Sequence, residues 1–186
     1  MDLKGKHYIT IRVKGYGDIK LELDESVAPI TVNNFIKLVN QKFYDGLTFH
    51  RIIDGFMIQG GDPLGDGTGG SEETITGEFK LNGKKNKISH KRGTISMARS
   101  RDYNSASSQF FIVQKNSEFL DGQYAAFGTV LDGMDIVDKI CEDAIVEDQN
   151  GTVLKENQND ERVKKLVKAL QSEKVKKYIE EKYDGR

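Results

Sequence analysis

From Ile9 to Val13 the apolar residues alternate with Thr10 and Arg12, and from Ile19 to Leu23 they alternate with Lys20 and Glu22. A period of two marks strands with one buried face. The stretch KGYGD between them supplies a turn, so the two runs predict a β-hairpin. The period then changes. In APITVNNFIKLVN, Pro29 suits a first helical turn, and Val32, Phe35, Ile36 and Val39 recur at i, i+3, i+4 and i+7. That spacing predicts an amphipathic helix. The short runs GLTFHRII, GFMIQGG, GTISMA, SQFFIVQ and AAFGTV come next as strands, divided by glycine-rich and polar turns. After Asp132 a second helix is predicted, with Val137, Ile140, Cys141 and Ala144 on one stripe. Many short strands with two helices predict a mainly β fold, a closed barrel capped by helices.

The end of the chain differs. Asp160 to Arg186 holds nine basic and six acidic residues, with Val163, Leu166, Val167 and Leu170 at helical spacing and Val175, Tyr178 and Ile179 extending the stripe. This predicts a charged C-terminal helix over 159–186, packed on a domain formed by 1–158.

Composition narrows the function. At 186 residues, with 37% hydrophobic and 31% charged residues, the chain suits one globular domain with a wet surface. A net charge of −1 provides no global field for nucleic acid or an anionic membrane, and neither is expected as a partner. No stretch is apolar enough to span a bilayer, and the N-terminus has no apolar leader core. Cys141 is the only cysteine, which excludes an internal disulfide and fits a reducing compartment, so a cytoplasmic protein is expected.

Several motifs fail on chemistry. GDGTGG matches a dinucleotide-binding turn in spacing, but the next residues, SEETITGEF, read as strand and turn rather than helix. DPLGDGTGGSEE resembles a calcium loop, yet Leu64 stands where an oxygen ligand is needed. His7, His50 and His90 lack metal-ligand spacing, and no nucleophile elbow is present. Any chemistry is therefore expected to proceed without metal, cofactor or covalent nucleophile. One stretch resists a bland account. FHRIIDGFMIQGGDP sets Arg51, a permanent planar cation with five donors, among phenylalanine, isoleucine and methionine.

That stretch, with GTGG, GTISMAR, SSQFFIV and FLDGQYAAFG in this order, closely resembles the cyclophilins, peptidyl-prolyl cis–trans isomerases, and in its wording the single-domain bacterial type. The resemblance covers roughly residues 7 to 158. It implies an eight-stranded antiparallel barrel with a helix at each end and an active groove on the outside. It implies Arg51 as the catalytic arginine, with Gln59 and Phe56 beside it in the catalytic set. Phe56, Met57, Phe111 and Leu120 match the pocket for the proline ring, and Ala98 and Arg99 the segment that pairs with the peptide backbone. Gln109, Phe119 and Tyr124 match further groove positions, and His50 a supporting one. On composition alone Phe56, Met57, Phe111 and Leu120 would each be assigned to the core.

The implied partners are proline-containing peptides and unfolded proteins, met by a monomer. Three departures stand out. Phe119 occupies a position where many members carry tryptophan, which predicts weakened cyclosporin binding. Arg99 replaces an asparagine of the eukaryotic pattern. The closing apolar strand of the family is missing, so either a piece of the charged segment pairs with the first strand or a helix covers its edge. The competing function is a proline-peptide binding module or holdase chaperone with incidental catalysis. Binding alone would not require the arginine.

Overall fold

The structure, a computed structural model, describes residues 5–153 and the backbone of 167–171. The predicted hairpin is the antiparallel pair β1 (Lys6–Val13) and β2 (Gly17–Asp24), in register from Lys6↔Asp24 to Val13↔Gly17. Ile9, Ile11, Val13, Ile19, Leu21 and Leu23 are buried, as the period of two demands. The first helix, α1 (Pro29–Asn40), buries Val32, Phe35, Leu38 and Val39. Its Phe35 ring meets Tyr44 at 4.9 Å, Phe127 at 5.3 Å and Phe110 at 5.4 Å, which locks the helix onto the sheet. Ala28 at its N-cap offers no side-chain acceptor. The cap comes instead from Glu78, whose carboxylate accepts from the backbone N–H of Ile30 at 3.1 Å and of Thr31 at 2.8 Å.

The remaining strands are β3 (Phe49–Ile53), β4 (Met57–Gly60), β5 (Thr94–Met97), β6 (Phe110–Val113) and β7 (Ala126–Asp132). The helix α2 (Met134–Asp143) comes after β7, burying Val137, Ile140 and Cys141. A last strand, β8 (Val167–Gln171), completes one sheet in the order β3-β4-β6-β5-β7-β2-β1-β8, antiparallel at every described pairing.

Two expectations change here. Val167 and Leu170 belong to a strand rather than to the predicted helix, paired with β1 from Ile9↔Gln171 to Val13↔Val167. The physical reason is the free edge of β1, whose backbone groups need a partner more than a short ambiguous run needs helical spacing. The rest of the predicted C-terminal helix lies outside the described residues. The sheet is also a curled wall rather than a complete ring. β3 and β8 share no ladder among the described residues. The outer edge of β3 is covered by residues 151–153 instead, with Ile52 N–H donating to Gly151 O at 2.8 Å and Val153 N–H to His50 O at 3.0 Å.

The wall has apolar residues on both faces. Ile52, Ile58, Ile95, Phe110 and Ile112 belong to the main core, whereas Met57, Phe111, Val113 and Leu120 form a separate cluster. Alternation along β4 and β6 sends neighbours in sequence to opposite faces. In β3 the alternation is broken by a bulge. Phe49 pairs with Gly60 and Arg51 with Gln59, so His50 is an extra residue between them. The bulge lets Phe49 join the core while Arg51 takes the outer face.

Candidate active site

Strand register brings the site together. Arg51 lies opposite Gln59, and Gln59 opposite Phe111, in one row across β3, β4 and β6. At a strand spacing of about 4.8 Å such a row spans roughly 10 Å. Below it Met57 lies opposite both Ile53 and Val113, placing the apolar cluster next to the arginine.

A groove of about 380 Å³ runs over this row. Every site residue expected from the sequence lines it except Gln109 and Phe119. Gln109 lines the adjoining depression and is bonded into the row. Phe119 stands at the rim, 67% exposed, with its ring 5.7 Å from Phe56. The phenylalanine-for-tryptophan departure therefore concerns a donor at an open surface, not a buried one.

Arg51 is held by two bonds and keeps donors to spare. Its Nε donates to Asn150 O at 2.8 Å and one terminal nitrogen to Gln59 Oε1 at 3.2 Å. It forms no ion pair among the described residues. With five N–H groups, a guanidinium fixed in this way still offers donors to the groove. Gln59 is oriented in turn, donating to Gln109 Oε1 at 2.9 Å, and Gln109 donates to Gly67 O at 3.0 Å and Gly69 O at 2.7 Å. The glycine-rich loop, whose sequence suits neither a nucleotide nor a calcium ion, is thus the anchor of this relay. Asp62 shapes it by accepting from the backbone N–H groups of Leu64, Asp66 and Gly67.

Ala98 and Arg99 border the groove, the former with its N–H engaged by Gln109 O at 3.0 Å. The Arg99 guanidinium is engaged within the protein. It lies over the rings of Tyr124, Phe79 and Tyr103 at 4.6, 4.9 and 5.0 Å and donates to Gln123 O. Tyr124 meets Phe111 edge-on at 6.0 Å.

His50 is 4% exposed, and neither ring nitrogen makes a hydrogen bond. Burial pushes its pKa below the ordinary histidine value, with Asp62 and Asp66 opposing and the Arg51 charge reinforcing the shift. It is neutral at pH 7.

A model of the family described as cyclophilin type peptidyl-prolyl cis-trans isomerase/CLD matches residues 8–171. The chain belongs to the cyclophilin family. This cyclophilin is 45% identical over 131 residues to peptidyl-prolyl cis-trans isomerase A of Dickeya dadantii, covering 68% of this chain and 67% of that one. It is 44% identical over 143 residues to the peptidyl-prolyl cis-trans isomerase of Helicobacter pylori, covering 75% and 83%. Among solved structures, a cyclophilin-type isomerase of Cryptosporidium parvum obtained in the presence of the dipeptide Ala-Pro superposes with a TM-score of 0.71 at 28% identity, over 89% of this chain and 98% of that one. The activity is that of a peptidyl-prolyl cis–trans isomerase.

The cyclophilin site also contains residues that sequence reasoning missed. Asp66, Gly67 and Thr152 line the groove. Beneath it, the fully buried His90 stacks on Phe111, with ring centroids 6.0 Å apart and planes at 17°. Its Nδ1 lies 2.8 Å from Asp121 Oδ1 and its Nε2 2.9 Å from Ser96 Oγ. An ionised Asp121 accepts only, so Nδ1 carries the proton and Nε2 accepts from the serine hydroxyl. Burial pushes the His90 pKa below its ordinary value despite the carboxylate beside it. Burial would raise Asp121, but the Ser89 hydroxyl and the backbone and ring of His90 hold it below the usual range. Asp121 is next to Leu120 in the chain, so His90 ties two walls of the apolar pocket together. The only sequence signal was a histidine without a metal partner. Among the described residues no metal-ligating cluster occurs.

Proposed function

We propose that this cyclophilin accelerates rotation about X–Pro bonds in unfolded or flexible chains by binding the twisted imide more tightly than either planar form. In the planar ground states resonance holds the bond behind a barrier of about 18–20 kcal/mol. At the twisted state that resonance is lost and a lone pair localises on the prolyl nitrogen. A fixed cationic donor aimed at this nitrogen is stabilising there and nearly idle in the ground states. Arg51 is that donor, Gln59 holds it and reaches the substrate backbone, and Phe56, Met57, Phe111 and Leu120 grip the proline ring. Ala98 and Arg99 border the substrate backbone, with Gln109, Phe119, Tyr124 and His50 completing and supporting the groove. Lowering the barrier by about 7 kcal/mol corresponds to about 10⁵-fold acceleration.

The observation that carries this reading is an arginine bonded through Nε and one terminal nitrogen, with donors left over, at the edge of an apolar cluster separate from the core. The Ala-Pro dipeptide named with the Cryptosporidium structure supports proline peptides as the ligand class. The test is a protease-coupled assay on a proline tetrapeptide with wild type and Arg51→Ala. A variant that binds peptide and stays folded but loses turnover supports the arginine; one that keeps most wild-type turnover refutes it, and incidental catalysis by a holdase would then be the better account.

The finer features rest on the same assignment. The acting unit is 1–158 together with β8, its curled sheet finished at one edge by residues 151–153 against β3 and at the other by β8 against β1. Cyclosporin inhibits with reduced affinity because Phe119 lacks an indole donor. A monomer in the cytoplasm suits an open groove and a single, buried cysteine.

A further inference from the structure

Residues 80–92, KLNGKKNKISHKR, carry six basic residues and no acidic one in a chain whose net charge is −1. Arg92 is matched by Asp138 at 2.6 Å. Lys80, Lys84, Lys85 and Lys87 are not matched, forming no ion pair among the described residues. These four surround a basin of about 700 Å³, larger than the groove itself, whose lining contains no carboxylate. Exposed lysines on a solvated face ordinarily alternate with acids; unmatched like charges around a concavity focus a positive potential instead.

The frame beneath them is fixed. Gly83, at φ 71°, ends the tight turn Lys80–Asn82 in a left-handed conformation. Asn86 donates to Glu78 O at 2.9 Å and Ala126 O at 2.7 Å, and accepts from Ile88 N–H at 3.0 Å. The basin also abuts the groove wall. Leu81 N–H donates to Gly122 O at 2.9 Å, between Leu120 and Tyr124, which both face the groove. Phe79, next to Lys80, lies under the same Arg99 guanidinium that covers Tyr124.

We propose that this basin is an accessory docking site for acidic residues of the polypeptide whose X–Pro bond occupies the groove. The proposal rests on the isomerase activity. Lysine heads on long stems meet carboxylates as adaptable point charges, which suits a variable, flexible client. Leu81, 57% exposed on the same turn, gives an apolar residue of that client a place to land. Docking raises the local concentration of the proline segment at the groove and leaves the rotation step untouched, so it acts on KM.

The experiment compares kcat/KM for a neutral X–Pro peptide with peptides bearing a short glutamate tract on one or the other side of the proline, across flexible spacers. At low ionic strength one of the acidic peptides should be turned over about fivefold more efficiently, the sum of a few exposed charge pairs. The advantage should fade as salt is added. It should vanish in Lys84→Glu/Lys85→Glu and in Lys80→Glu/Lys87→Glu, with neutral-peptide turnover unchanged. Neutral turnover reports the isomerase itself, so the activity and the docking site fail separately. Equal efficiency on neutral and acidic peptides in the wild type overturns the proposal, as does an acidic advantage that survives both variants. Tighter binding of a single-stranded oligonucleotide than of the glutamate peptide, lost in the same variants, also overturns it in favour of nucleic acid.

Discussion

At the scale of single residues, Arg51 suits the role proposed for it because other residues already hold it. Asn150 O and Gln59 fix the guanidinium before substrate arrives, so no ordering is required at the moment of rotation. Arg51→Ala should lower kcat by about 10²-fold or more while KM changes little, measured by the protease-coupled assay, since the lost interaction belongs to the twisted state. His90 acts one layer deeper. Through Ser96, Asp121 and the face of Phe111 it braces the wall of the proposed proline pocket. His90→Ala leaves a cavity beside Phe111 and should raise KM several-fold, with kcat less affected; His90→Asn, which keeps polar groups, should recover part of the loss. Unchanged KM in both variants would reduce His90 to a stability role. Phe119→Trp should tighten cyclosporin only modestly, by less than the roughly 0.5–1.5 kcal/mol of a buried hydrogen bond, because the position is open to water. Calorimetric titration of both proteins with cyclosporin measures the difference.

At the scale of elements, the strand β8 and the bulge in β3 matter most. β8 closes the edge of β1 over five paired residues, Ile9 to Val13. Truncation after Gln158 removes it and leaves a row of unpaired backbone groups beside an apolar strand. The truncated protein should melt several degrees lower and aggregate on concentration; an unchanged melting temperature with full solubility would show that β8 contributes nothing to the fold. The bulge at His50 has a different job. It switches which face receives the residues after it, putting Arg51 and Ile53 outside and Ile52 inside. Without it, Phe49 and Arg51 would share a face, and one of them would be wrongly placed.

At the scale of the whole molecule, pH separates chemistry from stability. Rotation transfers no proton, Arg51 stays charged, and buried His50 is already neutral at pH 7, so kcat/KM should be nearly flat between about pH 6.5 and pH 9. A slope of one in that window, abolished by His50→Gln, would expose a proton-dependent step. Stability should behave differently. His50 and His90 both have folded pKa values below the ordinary one, so the folded state resists protons that the unfolded chain accepts. Their contribution is fully present above the unfolded value of about 6.5 and is lost as pH falls below it, at most about 1.4 kcal/mol per pH unit for each histidine, until the lowered folded pKa is passed. The paired carboxylates Asp18, Asp24, Asp121 and Asp138 are also held below their usual values, and their contribution is lost only in the lower window beneath about pH 3.9. Thermal melts from pH 7 to pH 3 should therefore show two declines, and His90→Gln should flatten the upper one.

Period and punctuation alone were enough to locate β1 to β7 and both helices, because burial against a single core repeats every two residues along a strand and every three to four along a helix. The ordered motifs from Phe49 to Gly128 were enough to name the family, which the match over residues 8–171 bears out, and they single out the residues proposed above for its site. What the sequence could not decide depends on groups distant along the chain. Glu78 caps α1 from 47 residues away, and no local pattern announces a tertiary cap. VKALQ could serve as helix or strand until the open edge of β1 claimed it. Whether Phe111 and Met57 were core or pocket turned on which face of the sheet they took. His90, with no motif of its own, became part of the site only when folding carried Ser96, Phe111 and Asp121 to its ring. Local periodicity specifies elements; contacts made across the sheet assign each side chain its task.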